Sequence, residues 1–147
     1  VLSANALTYI VQNIGNPANE PLLGTMVWAL SNLCRGKPVP DLILVQEAIP
    51  CLSSLVQKLV NSSDMTCLTH ILLDACWTFS YLSDGDDERI QRIVDTGIIE
   101  TLVGFLSVPG LVVPALQTLS NIVTGNEEQT QVRTKKSLIF SHSFNDS

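Results

Sequence analysis

The sequence predicts an all-α fold, a solenoid of about three stacked helical repeats. One phrase occurs three times in similar form: VWALSNLCRG ending at Gly36, CWTFSYLSDG ending at Gly85 and LQTLSNIVTG ending at Gly125. Each copy is an apolar helical stretch closed by glycine, and the copies are 49 and then 40 residues apart. Self-similarity at such a period is typical of HEAT or armadillo repeats, which stack into a right-handed superhelix with a groove.

The third repeat shows the order of its helices most clearly. Asp86 can cap a short helix through its side-chain oxygen, and Gly97 can adopt the left-handed conformation that ends it. A second helix, IIETLVGFLS, follows with Ile99, Leu102, Val103 and Leu106 facing inward. Pro114 is compatible with the first turn of a third, longer helix. Short, medium and long helices in this order indicate an armadillo repeat.

The preceding repeats follow the same plan. Asp41 can cap the short helix of the middle repeat. The middle repeat is longer than the third, and its extra residues fall at 61–70, which we interpret as a longer loop. In the partial first repeat, the long helix runs from about Leu22 to Cys34. We therefore predict armadillo repeats over 1–132, at about 1–36, 41–85 and 86–125 with the start of a further repeat to 132, and a divergent, disordered tail over 133–147.

The charge of the chain favours a basic partner. Residues 1–132 carry 13 acidic and 5 basic residues, a net charge of −8. Such a body disfavours nucleic acid, which requires a basic surface, whereas a groove of one sign attracts the opposite charge. No apolar run reaches the ~18–20 residues that span a bilayer, so we expect no membrane partner.

The sequence does not predict an enzyme, a metal site or a cofactor. The spacing of Cys34, Cys51, Cys67 and Cys76 matches neither a zinc site nor a short disulfide framework, which indicates buried free thiols. Neither histidine belongs to a recognisable catalytic set, and no phosphate-binding glycine loop occurs.

Three residue pairs, which we call rungs, are the candidate binding residues: Trp28/Asn32, Trp77/Tyr81 and Gln117/Asn121. The members of a rung are one helical turn apart and share a face, so stacked repeats would align the rungs along one groove. An Asn amide can donate to and accept from a peptide backbone. Indole rings attract Lys or Arg by about 0.5–2 kcal/mol per contact.

Two alternatives to this interpretation concern individual residues. Both tryptophans could instead be core residues, although a mid-helix Asn one turn away is unfavourable unless its side chain has another role. Asp74, one turn before Trp77, could accept the charged head of a basic side chain or simply face solvent.

The phrases WALSNLCRGK, ACWTFSYLSDG and SNIVTGNEEQTQ resemble consecutive armadillo repeats of the importin alpha (karyopherin alpha) family, the adaptors for nuclear localisation signals. The resemblance covers roughly residues 1–132 and is to the fourth to sixth repeats. It implies non-catalytic binding of extended basic signal peptides in nuclear import, in the cytoplasm and the nucleus. Since no basic segment precedes the repeats here, we expect no recruitment of importin beta.

The resemblance also implies roles for individual residues. Trp28 and Asn32 match the last rung of the major signal-binding site of the family. Trp77 and Tyr81 match the rung between its major and minor sites, with Asp74 as the acidic neighbour.

The third rung departs from the family at one position. Asn121 matches the first rung of the minor site, whereas Gln117 stands where the family has Arg. The residues that match the pocket for a basic side chain there are Val123, Thr124, Gly125, Glu127 and Thr130.

The alternative function is that of a truncated armadillo scaffold fragment without transport activity, which would lack salt-sensitive binding of basic peptides.

Overall fold

The structure, a computed structural model, describes residues 4–62 and 68–125. Within these ranges the chain forms eight helices and no strand, which confirms the all-α prediction. The helices are α1 (Ala4–Gly15), α2 (Glu20–Cys34), α3 (Leu42–Val45), α4 (Ala48–Val60), α5 (Thr69–Ser83), α6 (Asp87–Asp95), α7 (Ile99–Phe105) and α8 (Val112–Val123).

The helix ends mostly follow the sequence signals. The Asp86 side chain accepts the N–H of Arg89 at 2.9 Å and caps α6, and Gly97 after that helix has a φ of 76°. The predicted cap at Asp41 is wrong, because its side chain makes no capping bond. This four-residue helix begins with a backbone turn, in which the Leu44 N–H donates to the Asp41 carbonyl at 2.9 Å.

The three long helices, α2, α5 and α8, pack side by side. α5 lies between α2 and α8 and makes the most extensive helix contacts in the molecule with them. Each long helix also packs against the shorter helix before it: α1 against α2, α4 against α5 and α7 against α8. The repeated phrases therefore lie on adjacent, equivalent helices, as the repeat plan predicted.

A single hydrophobic core runs through the stack and includes buried residues from all eight helices. Phe79 of α5, at its centre, is completely buried, and burial of such a side chain contributes about 1.5–3 kcal/mol. The prediction for α7 was partly wrong: Leu102 is buried, but Val103 and Leu106 are 49% and 37% exposed. Phe105 takes the inward place, because three residues, about one turn, separate it from Leu102.

The membrane prediction also needs one correction. The stretch Leu42–Val60, which contains α3 and α4, is long and apolar enough to span a bilayer by length and composition. Several of its apolar residues instead lie in the core: Val45, Ile49, Leu52 and Val56 are 0–1% exposed, although Ile43 is 80% exposed. Core helices of this kind pass the same compositional test as membrane spans.

A buried arginine connects adjacent repeats. Arg89 of α6 is 5% exposed, and its Nη2 donates to the Pro40 carbonyl at 2.6 Å. The side chain passes so close to Gly85 that a Cβ there would lie 2.9 Å from the Arg89 Cδ. At the surface, Lys37 forms an ion pair with Asp84. These contacts fix the end of α2 relative to the end of α5, where the candidate site lies.

Candidate functional site

The first rung projects from α2 into solvent. Trp28 is 59% exposed, which excludes the alternative that it is a core residue. The Asn32 side chain is also exposed, and its Nδ2 donates to the Trp28 carbonyl one turn earlier at 2.9 Å. That bond uses one of the two amide N–H groups, so the side chain retains a second N–H donor and an oxygen acceptor for other partners.

The second rung forms a stacked aromatic pair on α5. The rings of Trp77 and Tyr81 have centroids 5.9 Å apart and an interplanar angle of 23°. Both residues are partly buried, so Trp77 contributes to packing as well as to the surface. Stacking of this kind is worth about 0.5–1.5 kcal/mol and holds the two rings in one orientation.

Asp74 lies one turn before Trp77 and is partly buried. Burial raises the pKa of its carboxyl above the ordinary value, and the charge on His70 acts in the opposite direction. A carboxylate that has lost part of its hydration is stabilised by a nearby cation. The α5 helix therefore places a carboxylate with reduced hydration one turn from the aromatic pair.

The third rung is built differently from the first. Asn121 of α8 is partly buried, and its Nδ2 donates to the Ser83 Oγ at 3.0 Å and to the Ser80 carbonyl at 3.3 Å. Both acceptors lie near the C-terminal end of α5, so this amide connects two helices. Gln117, one turn earlier, is exposed.

The end of α8 holds only part of the predicted pocket for a basic side chain. Val123 is 58% exposed and Thr124 is exposed, whereas Gly125 is partly buried. The Thr124 hydroxyl donates to the Asn121 carbonyl at 2.7 Å. Glu127 and Thr130, the remaining predicted members, lie outside the described residues.

A pocket of about 280 Å³ lies between the C-terminal ends of α2 and α5, beside α8. Sequence reasoning identified Tyr81 and Gln117 but missed the charged residues of this pocket, Arg35, Lys37 and Asp84. The signal available was the charged residue before the closing glycine of the first two phrases, in CRG and SDG. The lining residues are Cys34, Arg35, Gly36, Lys37, Val39, Ser80, Tyr81, Asp84 and Gln117.

No group of three or more His, Cys, Asp or Glu that could hold a metal ion occurs within 4–62 and 68–125. Cys34, Cys51 and Cys76 are free thiols, and burial raises the pKa of Cys34 and of Cys76 to about 12. Cys67 lies outside the described ranges.

Curated proteins similar to this chain are importin alpha subunits. The chain is 39% identical to importin subunit alpha-3 of Arabidopsis thaliana over 134 residues, which are 90% of this chain and 24% of that protein. It is 41% identical to importin subunit alpha-1b of Oryza sativa subsp. japonica over 133 residues, 89% of this chain and 23% of that protein. The chain thus spans about a quarter of the length of these relatives. No protein-family model matches it.

Solved structures confirm the armadillo-repeat fold. A designed armadillo repeat protein in complex with the peptide (KR)4 aligns with a TM-score of 0.68 and 28% identity, over 86% of this chain and 51% of that one. A second designed armadillo repeat protein aligns with a TM-score of 0.69 and 25% identity, over 88% of this chain and 52% of that one.

Proposed function

Because the chain is homologous to the importin alpha subunits over 90% of its length, we propose that it binds extended basic peptides of the nuclear localisation signal type, without catalysis. The groove is the face of α2, α5 and α8 that carries the three rungs. The observation that carries the proposal is the exposed Trp28, with Asn32 one turn away, on the helix next to the Trp77/Tyr81 pair. At 59% exposure, the indole of Trp28 is not part of the core.

The chemistry of the groove suits lysine and arginine. Their aliphatic stems can lie against the indole of Trp28 and the Trp77/Tyr81 pair, with a cation–π contribution of about 0.5–2 kcal/mol per contact. Asp74 accepts a charged head, and the Asn32 amide bonds the peptide backbone. The described residues carry 10 acidic and 5 basic side chains, so the overall field also attracts a basic peptide.

The role that follows is that of a peptide-binding element in nuclear import, in the cytoplasm and the nucleus. Its partners are the signal peptides of cargo proteins. A designed armadillo protein that binds (KR)4 has the same helix arrangement over 86% of this chain, which supports a basic peptide as the ligand.

The test is a titration of the full chain with (KR)4, measured by isothermal titration calorimetry at low salt and at half-molar salt. We expect micromolar affinity, about −8 kcal/mol, that weakens at least tenfold at the higher salt because exposed charges are screened beyond about 8–10 Å. Binding that salt leaves unchanged, or no binding at all, would favour an armadillo scaffold for another partner.

A matched pair of variants locates the binding face. Trp28→Ala removes the exposed ring of the first rung and should weaken (KR)4 binding about fivefold, the effect of one cation–π contact. Tyr9→Ala removes an aromatic side chain of the same 59% exposure from α1, outside the groove, and should leave affinity unchanged. Equal effects of the two substitutions would contradict the assignment of the groove.

A further inference from the structure

His70 occupies a position that the sequence did not connect with the groove. It is the second residue of α5, one turn before Asp74, and Trp77 follows nearly one turn later. Residues at these spacings share one helical face. The imidazole, the carboxylate and the indole therefore form a row that leads into the second rung.

The imidazole is held against the neighbouring helix. Its Nε2 lies 3.3 Å, and its Cδ2 3.8 Å, from the point where a Cβ of residue 24 would be. Residue 24 is glycine, so the ring can approach the α2 backbone closely. His70 is nevertheless exposed on its other side and can exchange protons with solvent.

The charge on His70 acts directly on Asp74. It lowers the pKa of that carboxyl, against the effect of burial, and no other charged group contributes comparably. Charged residues on the helices that pack against α5 are few: α8 has none, and α6 follows the C-terminal end of α5, whereas His70 is at the N-terminal end. They are Glu20 on α2, Lys58 on α4, and Asp87, Glu88, Arg89, Arg92 and Asp95 on α6.

We propose that His70, when it is protonated, competes with the peptide for the carboxylate of Asp74. The acidic subsite of the second rung is then available to a basic side chain only while the imidazole is neutral. This inference rests on the proposed binding of basic peptides. Imidazoles ordinarily change charge near pH 6.5. Once protonated, the imidazolium offsets part of the charge of Asp74, one turn away on the same helix, and repels an incoming lysine or arginine. Affinity for basic peptides therefore falls as the pH drops from 7.6 to 6.

The first test measures (KR)4 binding to the full chain at pH 7.6 and pH 6.0, at constant ionic strength, by calorimetry. Lysine and arginine do not titrate in this range. We expect binding to be about two- to fivefold weaker at pH 6.0, the size of one exposed charge–charge interaction. In His70→Asn, which keeps a polar planar side chain, the two affinities should be equal. His142→Asn, a substitution of the other histidine, should retain the wild-type dependence.

Asp74→Asn completes the set. It should bind (KR)4 more weakly than wild type at pH 7.6 and lose less affinity at pH 6.0 than wild type does, because the competition for Asp74 is absent and only the repulsion by the imidazolium remains. Wild-type affinity that is equal at both pH values, or a His70→Asn variant that keeps the dependence, would overturn the inference while leaving peptide binding intact. A failure to bind at any pH would overturn the proposed function and this inference with it.

A second readout needs no peptide. The Asp74 carboxyl can be titrated by carbon-detected NMR in wild type and in His70→Asn, with circular dichroism to confirm equal helix content. Removal of the imidazole should raise the pKa of Asp74, because the charge that lowers it is lost. An unchanged titration would show that the two groups do not interact and would refute the competition.

Discussion

Asn32 and Asn121 occupy the same position in two copies of the repeated phrase, but we expect only Asn121 to stabilise the fold. Its Nδ2 donates to the Ser83 Oγ at 3.0 Å and to the Ser80 carbonyl at 3.3 Å, which connects α8 to α5. The Asn32 amide donates within its own helix, to Trp28, and is exposed. The substitution Asn121→Ala should therefore lower the free energy of unfolding, whereas Asn32→Ala should not.

The magnitude follows from the contacts that are lost. Each hydrogen bond contributes about 0.5–1.5 kcal/mol, and the longer of the two, at 3.3 Å, belongs at the low end. The Ser83 hydroxyl keeps its own donation to the Ser80 carbonyl at 3.0 Å, so no buried donor is orphaned. We expect a loss of about 1–2 kcal/mol for Asn121→Ala, and a change within about 0.5 kcal/mol for Asn32→Ala.

Urea unfolding followed by circular dichroism measures both values, and a thermal scan should show a Tm lower by about 3–8 °C for Asn121→Ala. A double-mutant cycle with Ser83→Ala isolates the inter-helix bond, with an expected coupling of at least about 0.5 kcal/mol. Equal stability losses for the two asparagines, or zero coupling to Ser83, would refute the reasoning. Asn32→Ala should instead weaken (KR)4 binding by about 1 kcal/mol, measured by calorimetry.

Three other substitutions and one chemical treatment give further checks. Gly85→Ala should lower the Tm, because its Cβ would lie 2.9 Å from the Cδ of the buried Arg89. Gly104→Ala is the control: this glycine is in a helix and its Cβ would meet nothing within 4 Å, so the substitution should raise stability by about 0.5–1 kcal/mol. Asp74→Asn should not lower the Tm at pH 7. Burial raises the pKa of this carboxyl in the folded chain above its unfolded value, so the ionised carboxylate lowers stability at any pH above the folded pKa. This loss of stability disappears as the pH falls through the folded pKa. Iodoacetamide at pH 8 should modify Cys34 and Cys76 only as the chain unfolds, measured by mass spectrometry, because burial raises the pKa of both thiols to about 12.

The sequence by itself determined the helices, their order and the positions of the rungs. These depend on local properties: the apolar spacing along each helix, a cap such as Asp86, a glycine such as Gly97 with its φ of 76°, and the one-turn separation of Trp28 from Asn32. Repetition of the phrase after 49 and then 40 residues placed the rungs on adjacent helices, because equivalent segments stack in equivalent ways. For the same reason the all-α armadillo fold was correctly predicted.

Only the tertiary structure decided which polar groups are committed to the fold and which remain available to a ligand. Asn121 bonds residues 38 and 41 positions away, Arg89 reaches Pro40 across 49 positions, and His70 meets Gly24 on another helix. A pattern along one helix specifies which residues share a face, but the distance between two helices, and with it every contact across them, is set by the packing of the whole stack.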